Sequence, residues 1–397
     1  LFLVFPVSLA LTSILMAVFL VLWLQGGLWK TAIPRLRSNP VAIAALALWA
    51  VIVLGVAWSP APWADVQLHL SKYSKLLFVV ALMTFWVEPR TYMRAINAFA
   101  IAMGFILVST WLNVWTVLPW SKTQVPGWGL SHHVVGDHIT QNVMMALFTL
   151  LALLRARAAR DLLGMGGWIA VAALASVSIT HLSEGRTGYL LLLAVSVYFV
   201  VVCFRGKALW AAALGALIVV AMVYASSPLV RDRVAKGIDE VSRIQDDKNT
   251  SLGNRLYSYQ ITPQLIAEKP LLGHGTGAYH TEVCRFVDTP PGCHGWISWH
   301  PHNQFLYFAV DHGALGLLAY LALLISMCWV AYRSADHEAG TLLGGLTVLL
   351  MVNGMINSPL WSARESHLFF FMMALLVPRA LSTTLASPPE ARVKTPA

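Results

Sequence analysis

The chain has 397 residues, of which 58% are hydrophobic and only 11% charged, with a mean hydropathy of +0.67 and a formal net charge of +9. An ordinary soluble domain carries about 25% charged residues, so this deficit excludes a soluble enzyme and divides the length by membrane spans instead. The 27 Lys and Arg are scattered between apolar runs, which argues against a nucleic-acid-binding face and makes their placement a topology signal.

Apolar runs close to the roughly 20 residues that cross a bilayer predict spans over 1–24, 41–58, 73–87, 95–118, 139–154, 163–180, 187–204 and 207–224. The chain then turns polar over 225–301, with Arg231, Asp232, Arg233, Asp239, Glu240, Arg243, Asp246, Asp247 and Lys248 in its first part. Hydrophobicity resumes over 303–332, 339–359 and 366–381, followed by a short tail rich in Pro, Ser and Ala. The expected fold is therefore all-α, a polytopic transmembrane helical bundle with eleven visible spans. Residues 1–224 hold spans one to eight, 225–301 form a large outer loop, 302–382 hold spans nine to eleven, and 383–397 are a cytoplasmic tail. The chain opens inside a span with no charged leader before it, so a further N-terminal span is expected.

Orientation follows from the positive-inside bias. Alternate short connections hold Lys30, Arg35, Arg37, Arg90, Arg94, Arg155, Arg157, Arg160, Arg205, Lys207, Arg333, Arg379, Arg392 and Lys394 on one side, against Lys72, Lys75, Lys122, Arg186 and Arg364 on the other. The first group marks the cytoplasm, and the long insertion is exempt because long loops cross regardless of charge. The insertion then faces outward. It carries Cys284 and Cys293, nine residues apart, which predicts a disulfide in an oxidising compartment. The alternative use of that pair, a zinc site with His294 or His300, lacks the C-x-x-C spacing.

The outer boundary holds few ionisable residues, and each invites an explanation. Arg186 stands in the short connection His181-Leu-Ser-Glu-Gly-Arg-Thr-Gly-Tyr-Leu190. It either snorkels beside Glu184 or presents its planar donor fork to a lipid-linked phosphate. Arg255 lies in Asn254-Arg255-Leu256, ahead of Pro270-Leu-Leu-Gly-His-Gly-Thr-Gly277. The Gly-rich stretch lacks the Lys-Ser/Thr ending of a nucleotide-binding loop and reads as a tight turn returning the chain to the bilayer. His300-Pro301-His302-Asn303 marks re-entry into a span. Pro301 places His302 at a helix start, where the helix dipole disfavours imidazolium and a neutral ring can take a proton from a hydroxyl. The plain alternative is a cap or packing residue. Metal binding by His294, His300 and His302 is weakly supported, since no acidic pair lies near them, and no metal or cofactor is expected. Asp311 and His312, deeper in the same run, would suit a transporter's proton relay, but several such residues and repeated halves would then be expected.

The pattern resembles the O-antigen ligase family, which shares its architecture with O-antigen polymerases and bacterial protein O-oligosaccharyltransferases. The specific element is His302-Asn303, nine residues, then Gly313-Ala-Leu-Gly316, accompanied in order by Glu184-Gly-Arg186-Thr-Gly-Tyr-Leu190, Asn254-Arg255 and Pro270-Leu-Leu-Gly273 with Gly275 and Gly277. The resemblance implies twelve spans with cytoplasmic termini and a large periplasmic loop. It implies inverting, metal-independent transfer of a glycan from undecaprenyl diphosphate to a lipid A-core sugar at the periplasmic face of the bacterial inner membrane. His302 would then be the catalytic base, and Arg186 and Arg255 would bind the diphosphate. Asn303 and Asn142 are secondary candidates. Lys72 and Lys75 either help hold lipid phosphate or snorkel, and snorkelling is the preferred reading. The rival readings are a polymerase or protein oligosaccharyltransferase with the same chemistry, and, in a different class, a transporter of lipid-linked glycans. Membrane lipids are the surroundings in every case.

Overall fold

A computed structural model of the chain describes residues 1–27, 29–30, 36–84, 88–242, 251–286 and 299–385. Every regular element among the described residues is helical. The α-helices in chain order are α1 (Leu9–Gln25), α2 (Pro40–Leu54), α3 (Trp63–Tyr73), α4 (Lys75–Met83), α5 (Pro89–Leu112), α6 (His138–Ala158), α7 (Leu162–His181), α8 (Arg186–Cys203) and α9 (Gly206–Ser226). They continue with α10 (Pro228–Ser242), α11 (Ser251–Glu268), α12 (Ala278–Val283), α13 (Gln304–Arg333), α14 (His337–Ile356) and α15 (Ala363–Leu385).

Their starts are written in local chemistry. Asn39 accepts the backbone N–H groups of Val41 and Ala42, both at 3.1 Å, with Pro40 in the first helical position. Asp137, Asp161 and Asp336 cap α6, α7 and α14 in the same manner. Such side chains satisfy amide donors that the helix itself leaves unpaired.

Among the described residues, eight helices are long and apolar enough to cross a membrane: α2 with its 3-10 extension through Trp58, α5 to α9, α13 and α14. The protein is a multi-pass membrane protein. Within the bundle α6 is central and α9 peripheral, since 83% of the apolar window of α6 is buried and none of that of α9. The expected eleven spans are not all of this kind. Helix α1 has 17 residues, and the expected span over 73–87 is the nine-residue α4, separated from α3 at Ser74. The run over 366–381 lies within α15. Residues 225–301 contain α10, α11, α12 and a 3-10 turn, Cys284–Phe286.

The feature that organises the site is a break inside α13. Gly313 adopts φ 60°, ψ −154° in the middle of this helix, a conformation essentially confined to glycine. The Gly-rich loop docks into the break. Ala314 N–H donates to Pro270 O at 2.8 Å and Leu315 N–H to Leu271 O at 3.2 Å, while His274 N–H and Gly275 N–H donate to Val310 O and Asp311 O at 2.9 and 2.7 Å. Broken-helix backbone at membrane depth is tolerated where such partners re-satisfy it. The loop turns through Gly273, Gly275 and Gly277, all at positive φ, and Thr276 N–H reaches Gly55 O at 3.1 Å. The expected tight turn is present at the glycines, and residues 273–277 are in addition buried as a plug, while Leu271 and Leu272 stay exposed. Gly313 of the Gly313-Ala-Leu-Gly316 motif is thus the residue that receives the loop.

A Cβ at residue 313 would overlap the Leu271 carbonyl, whereas one at Gly215 in α9 meets nothing within 4 Å. Gly313→Ala is therefore expected to lower the thermal midpoint of the purified protein in detergent, with backbone strain alone costing about 1–3 kcal/mol. Gly215→Ala should leave the midpoint unchanged or raise it by up to the equivalent of ~1 kcal/mol. Equal midpoints for the two variants would contradict the assigned geometry of the break.

Candidate active site

Arg186 is the first residue of α8, following Gly185. The turn that carries it is fixed from behind. Asn142, buried in α6, donates to Ser183 Oγ at 2.9 Å, Tyr189 Oη donates to Ser183 O at 2.9 Å, and Gly188 lets Asn142 approach where a Cβ would collide with it. The Arg186 guanidinium donates to Glu240 Oε1 at 2.6 Å. Glu184 pairs instead with Arg233. Snorkelling beside Glu184 is therefore not what Arg186 does: two ion pairs clasp α10 over the start of α8. A cavity of about 350 Å³ lies there, lined by Arg186, Tyr189, Arg233, Val234, Gly237 and Ile238.

Arg255 stands in the second turn of α11, half-buried, with Nε shielded from solvent and making no hydrogen bond. Burial lowers its pKa; Tyr259 and Glu240 oppose that shift, and Arg186 adds to it. Arg186 and Arg255 are thus close enough to share one field. One turn along α11, Tyr259 Oη donates to Met355 O at 2.7 Å and more weakly to His302 O at 3.3 Å.

His302 is the one non-glycine residue at positive φ among the described residues, at 50°. Such a backbone in a bulky residue is strained and persists only where its surroundings fix it. Here Tyr259 holds the carbonyl, and the backbone N–H donates to His300 Nδ1 at 3.2 Å. The two imidazole rings lie 4.3 Å apart between centroids. Asn303 caps α13, its Oδ1 accepting from Phe305 and Leu306 N–H at 2.9 and 3.1 Å, and its Nδ2 donates to Met355 O at 3.1 Å. His302 therefore precedes the cap, one residue outside the position expected of it. Its ring is kept neutral by burial first and by the Arg255 charge second, which push its pKa down to about 4 against an opposing hydrogen bond with Asn357. The His300 ring is pushed down to about 3 by burial, then by His302, Lys72 and Arg255.

Lys72 does not simply snorkel. Its ammonium sits 3.5 Å from the centre of the Trp361 ring and donates to Trp361 O at 3.2 Å, and the same indole lies 5.3 Å from the His300 ring. Lys75 donates to Ser366 Oγ at 2.7 Å. Asp311 is tied to the plug, accepting from Tyr279 N–H at 2.9 Å and Gly277 N–H at 3.3 Å, with His69 Nε2 at 4.0 Å. This anchors loop to helix, a different duty from a proton relay. Of the sequence candidates, Arg255 is near enough for its charge to act on His302, Arg186 shares that field and is held by Glu240, Asn303 caps the helix beside His302, and Asn142 supports the turn of Arg186. Tyr259, Glu240 and Asn357 were not identified from sequence as belonging to the site, and Lys72, one of few outer-side cations, was placed there only by the less favoured of its two readings.

Among the described residues, Glu268, His274 and Glu282 bring ligand atoms within 4.8 Å of one another. Arg285 lies between the carboxylates, with Nη1 at 3.0 Å from Glu268 and 2.5 Å from Glu282, so both already share one guanidinium as partner. Cys284 is disulfide-bonded. Its expected partner Cys293, like His294, lies outside the described residues.

The two depressed histidines carry a pH consequence. An unperturbed His titrates near 6.5, and these rings titrate near 4 and 3. As pH falls through that window the unfolded chain binds protons that the folded chain refuses, so stability falls with decreasing pH. His302→Gln and His300→Gln should each flatten the drop in thermal midpoint between about pH 7.5 and about pH 4.5, measured in detergent. A variant slope equal to wild type would contradict the neutral, shielded state of these rings.

Residues 170–321 match the family model described as O-antigen ligase. The match covers less than half of the chain, yet it contains Arg186, Arg255, the plug, His302 and the Gly313 break. A search of curated proteins finds no match. The chain resembles the O-antigen ligase family over the segment that builds this site, which supports a membrane glycosyltransferase of the ligase or polymerase type.

Proposed function

We propose that the protein is an inverting glycosyltransferase of the bacterial inner membrane that moves an O-antigen glycan from undecaprenyl diphosphate to a sugar of a lipid A-core acceptor at the periplasmic face. The observation that carries this reading is the family-model match over residues 170–321, which contains Arg186, Arg255 and His302, with the half-buried His302 held just before the cap of α13 and within the field of Arg255. The Lys and Arg bias puts this end of the bundle, and residues 225–301, on the outer side. Eleven spans in the visible chain, with α1, α4 and α15 completing the eight long apolar helices, belong to the same proposal.

The chemistry asks little of the protein beyond placement. Diphosphate is a good leaving group, so the site must hold it, offset the charge that grows on it, and deprotonate the acceptor. The acceptor hydroxyl loses its proton to His302 as its oxygen bonds to the anomeric carbon. The bond from that carbon to the diphosphate oxygen breaks, and its electron pair leaves with the diphosphate. In-line displacement inverts the anomeric centre. Arg255, with its desolvated guanidinium, is placed to stabilise the departing charge, and Arg186 does so by exchanging Glu240 for a phosphate oxygen. Glu240 is thus the partner that a donor phosphate would displace from Arg186.

Loss of a positioned base costs about 10² to 10⁴ in rate. His302→Gln should abolish transfer in the purified protein while donor binding persists. Arg186→Lys and Arg255→Lys keep the charge but lose the planar fork, and each should lower kcat/KM about ten-fold or more, ~1.4 kcal/mol in the barrier. Glu240→Gln should instead lower the donor KM. Retained turnover in His302→Gln would remove the base assignment, and full activity in both Lys variants would return the arginines to structural duty. In cells lacking a ligase but possessing a polymerase, the wild-type gene should restore glycan on the lipid A-core; an unmodified core would favour the polymerase reading.

A further inference from the structure

Helix α10 is attached to the bundle in two different ways. At its start, buried Ser227 donates its hydroxyl to Thr180 O at 2.6 Å and accepts from Val230 N–H at 3.2 Å, which pins the chain to the end of α7. Further along, two ion pairs of opposite polarity tie it to the start of α8. Arg186 of α8 donates to Glu240 of α10 at 2.6 Å, and Arg233 of α10 donates to Glu184, just before α8. Arg233, Gly237 and Glu240 are four and three residues apart, so they share one face of the helix. A Cβ at residue 237 would lie 3.1 Å from Arg186 Nη1. Glycine inside a helix is unfavourable relative to alanine; here it leaves the guanidinium room to cross α10 and reach Glu240.

The cavity of about 350 Å³ beside these pairs combines two kinds of wall: the cationic side chains of Arg186 and Arg233, and the apolar surfaces of Tyr189, Val234 and Ile238. Both arginines remain open to solvent, at 27% and 26% side-chain exposure. Neither Arg255 nor His302 lines the cavity, whereas Arg186 lines it and also acts on Arg255. Arg186 therefore stands between the reacting end of the site and this cavity. Ligand pockets run from about 300 to 1,000 Å³, so the space suits one small part of a donor.

We propose that this cavity is the lipid-side subsite of the donor, in which Arg233 binds the phosphate that carries the prenyl chain and Tyr189, Val234 and Ile238 receive the first isoprene unit. This rests on the reading of the donor as a lipid-linked diphosphate and extends it. A diphosphate joining lipid to sugar keeps one acidic oxygen on each phosphate and so carries two negative charges. One replaces Glu240 at Arg186 and the other replaces Glu184 at Arg233, an exchange that leaves each guanidinium matched and suits its planar donor fork. The Ser227 anchor retains α10 while the pairs exchange. With the lipid-side phosphate held at Arg233, the sugar-side phosphate and its anomeric carbon are directed past Arg186 toward Arg255 and His302.

The test measures equilibrium binding of undecaprenyl diphosphate to the full chain in detergent, without acceptor, with the thermal midpoint recorded for every variant. An ion pair that only holds the fold and one that yields to a ligand differ in sign. Arg233→Gln should raise the Kd about ten-fold or more, as expected for loss of a hydrogen bond between charged groups. Glu184→Gln removes the competing carboxylate and should lower the Kd. The double variant, in which this pair leaves no unmatched charge, should bind as weakly as Arg233→Gln. Ile238→Asn alters an exposed side chain and should raise the Kd about three-fold or more. Unchanged binding in Arg233→Gln, equal weakening in Glu184→Gln, or wild-type binding in the double variant would overturn the inference. An equal Kd for phosphatidylglycerol would also overturn it, by making this a general anionic-lipid site. Wild type that binds no undecaprenyl diphosphate would remove the donor reading along with it, whereas binding without transfer to lipid A-core would contradict the reaction alone.

Discussion

The docking of the 270–277 loop into the break at Gly313 is the contact on which the rest of the site depends. A helix interrupted inside a bilayer exposes amide and carbonyl groups that lipid cannot satisfy. Here the loop pairs with that backbone from both sides of the break, at Pro270, Leu271, His274 and Gly275. The same docking fixes the end of α11, and α11 carries Arg255 and Tyr259. A polar segment between two membrane helices is thereby fastened to the bundle at a defined height. His302, just before the start of the broken helix, and Arg255, near the start of the fastened helix, are consequently held within one electrostatic field.

Around that frame the site is made of groups whose charges are managed by desolvation. His300 and His302 are neutral because burial and nearby cations penalise a further positive charge. Lys72 lies against an indole face, an arrangement in which a cation is stabilised by the ring quadrupole. Arg186 is matched by Glu240, an exchangeable partner on an amphipathic helix that covers the start of α8. The result is a cationic edge beside an unprotonated imidazole, a combination suited to holding a phosphate-bearing donor while removing a proton from an acceptor.

Much of this was legible in the sequence, for reasons that are local. The apolar runs predicted the long helices because a membrane span needs a contiguous hydrophobic stretch, and α6 through α9 follow their runs within a few residues. Arg186, Arg255 and His302 stood out because ionisable residues are scarce at the outer boundary. The rest depends on contacts that no window contains. Lys72 and Trp361 are 289 residues apart in sequence, Asn142 and Ser183 are 41 apart, and Tyr259 reaches Met355 across 96. The glycine pair in α13 was visible as a pattern, but whether Gly313 received a helix or a loop is decided by φ and ψ. The strained backbone of His302 left no sequence signal, since Pro301 before it restricts His300 and not His302.

The most direct measurement of the central claim is transfer itself. Purified protein in detergent, where no vectorial transport exists, would be mixed with undecaprenyl diphosphate-linked glycan and lipid A-core, and the products read by mass spectrometry. The account predicts lipid A-core bearing the intact glycan together with released undecaprenyl diphosphate. An unmodified core alongside an unconsumed donor, or alongside longer lipid-linked glycan, would contradict it.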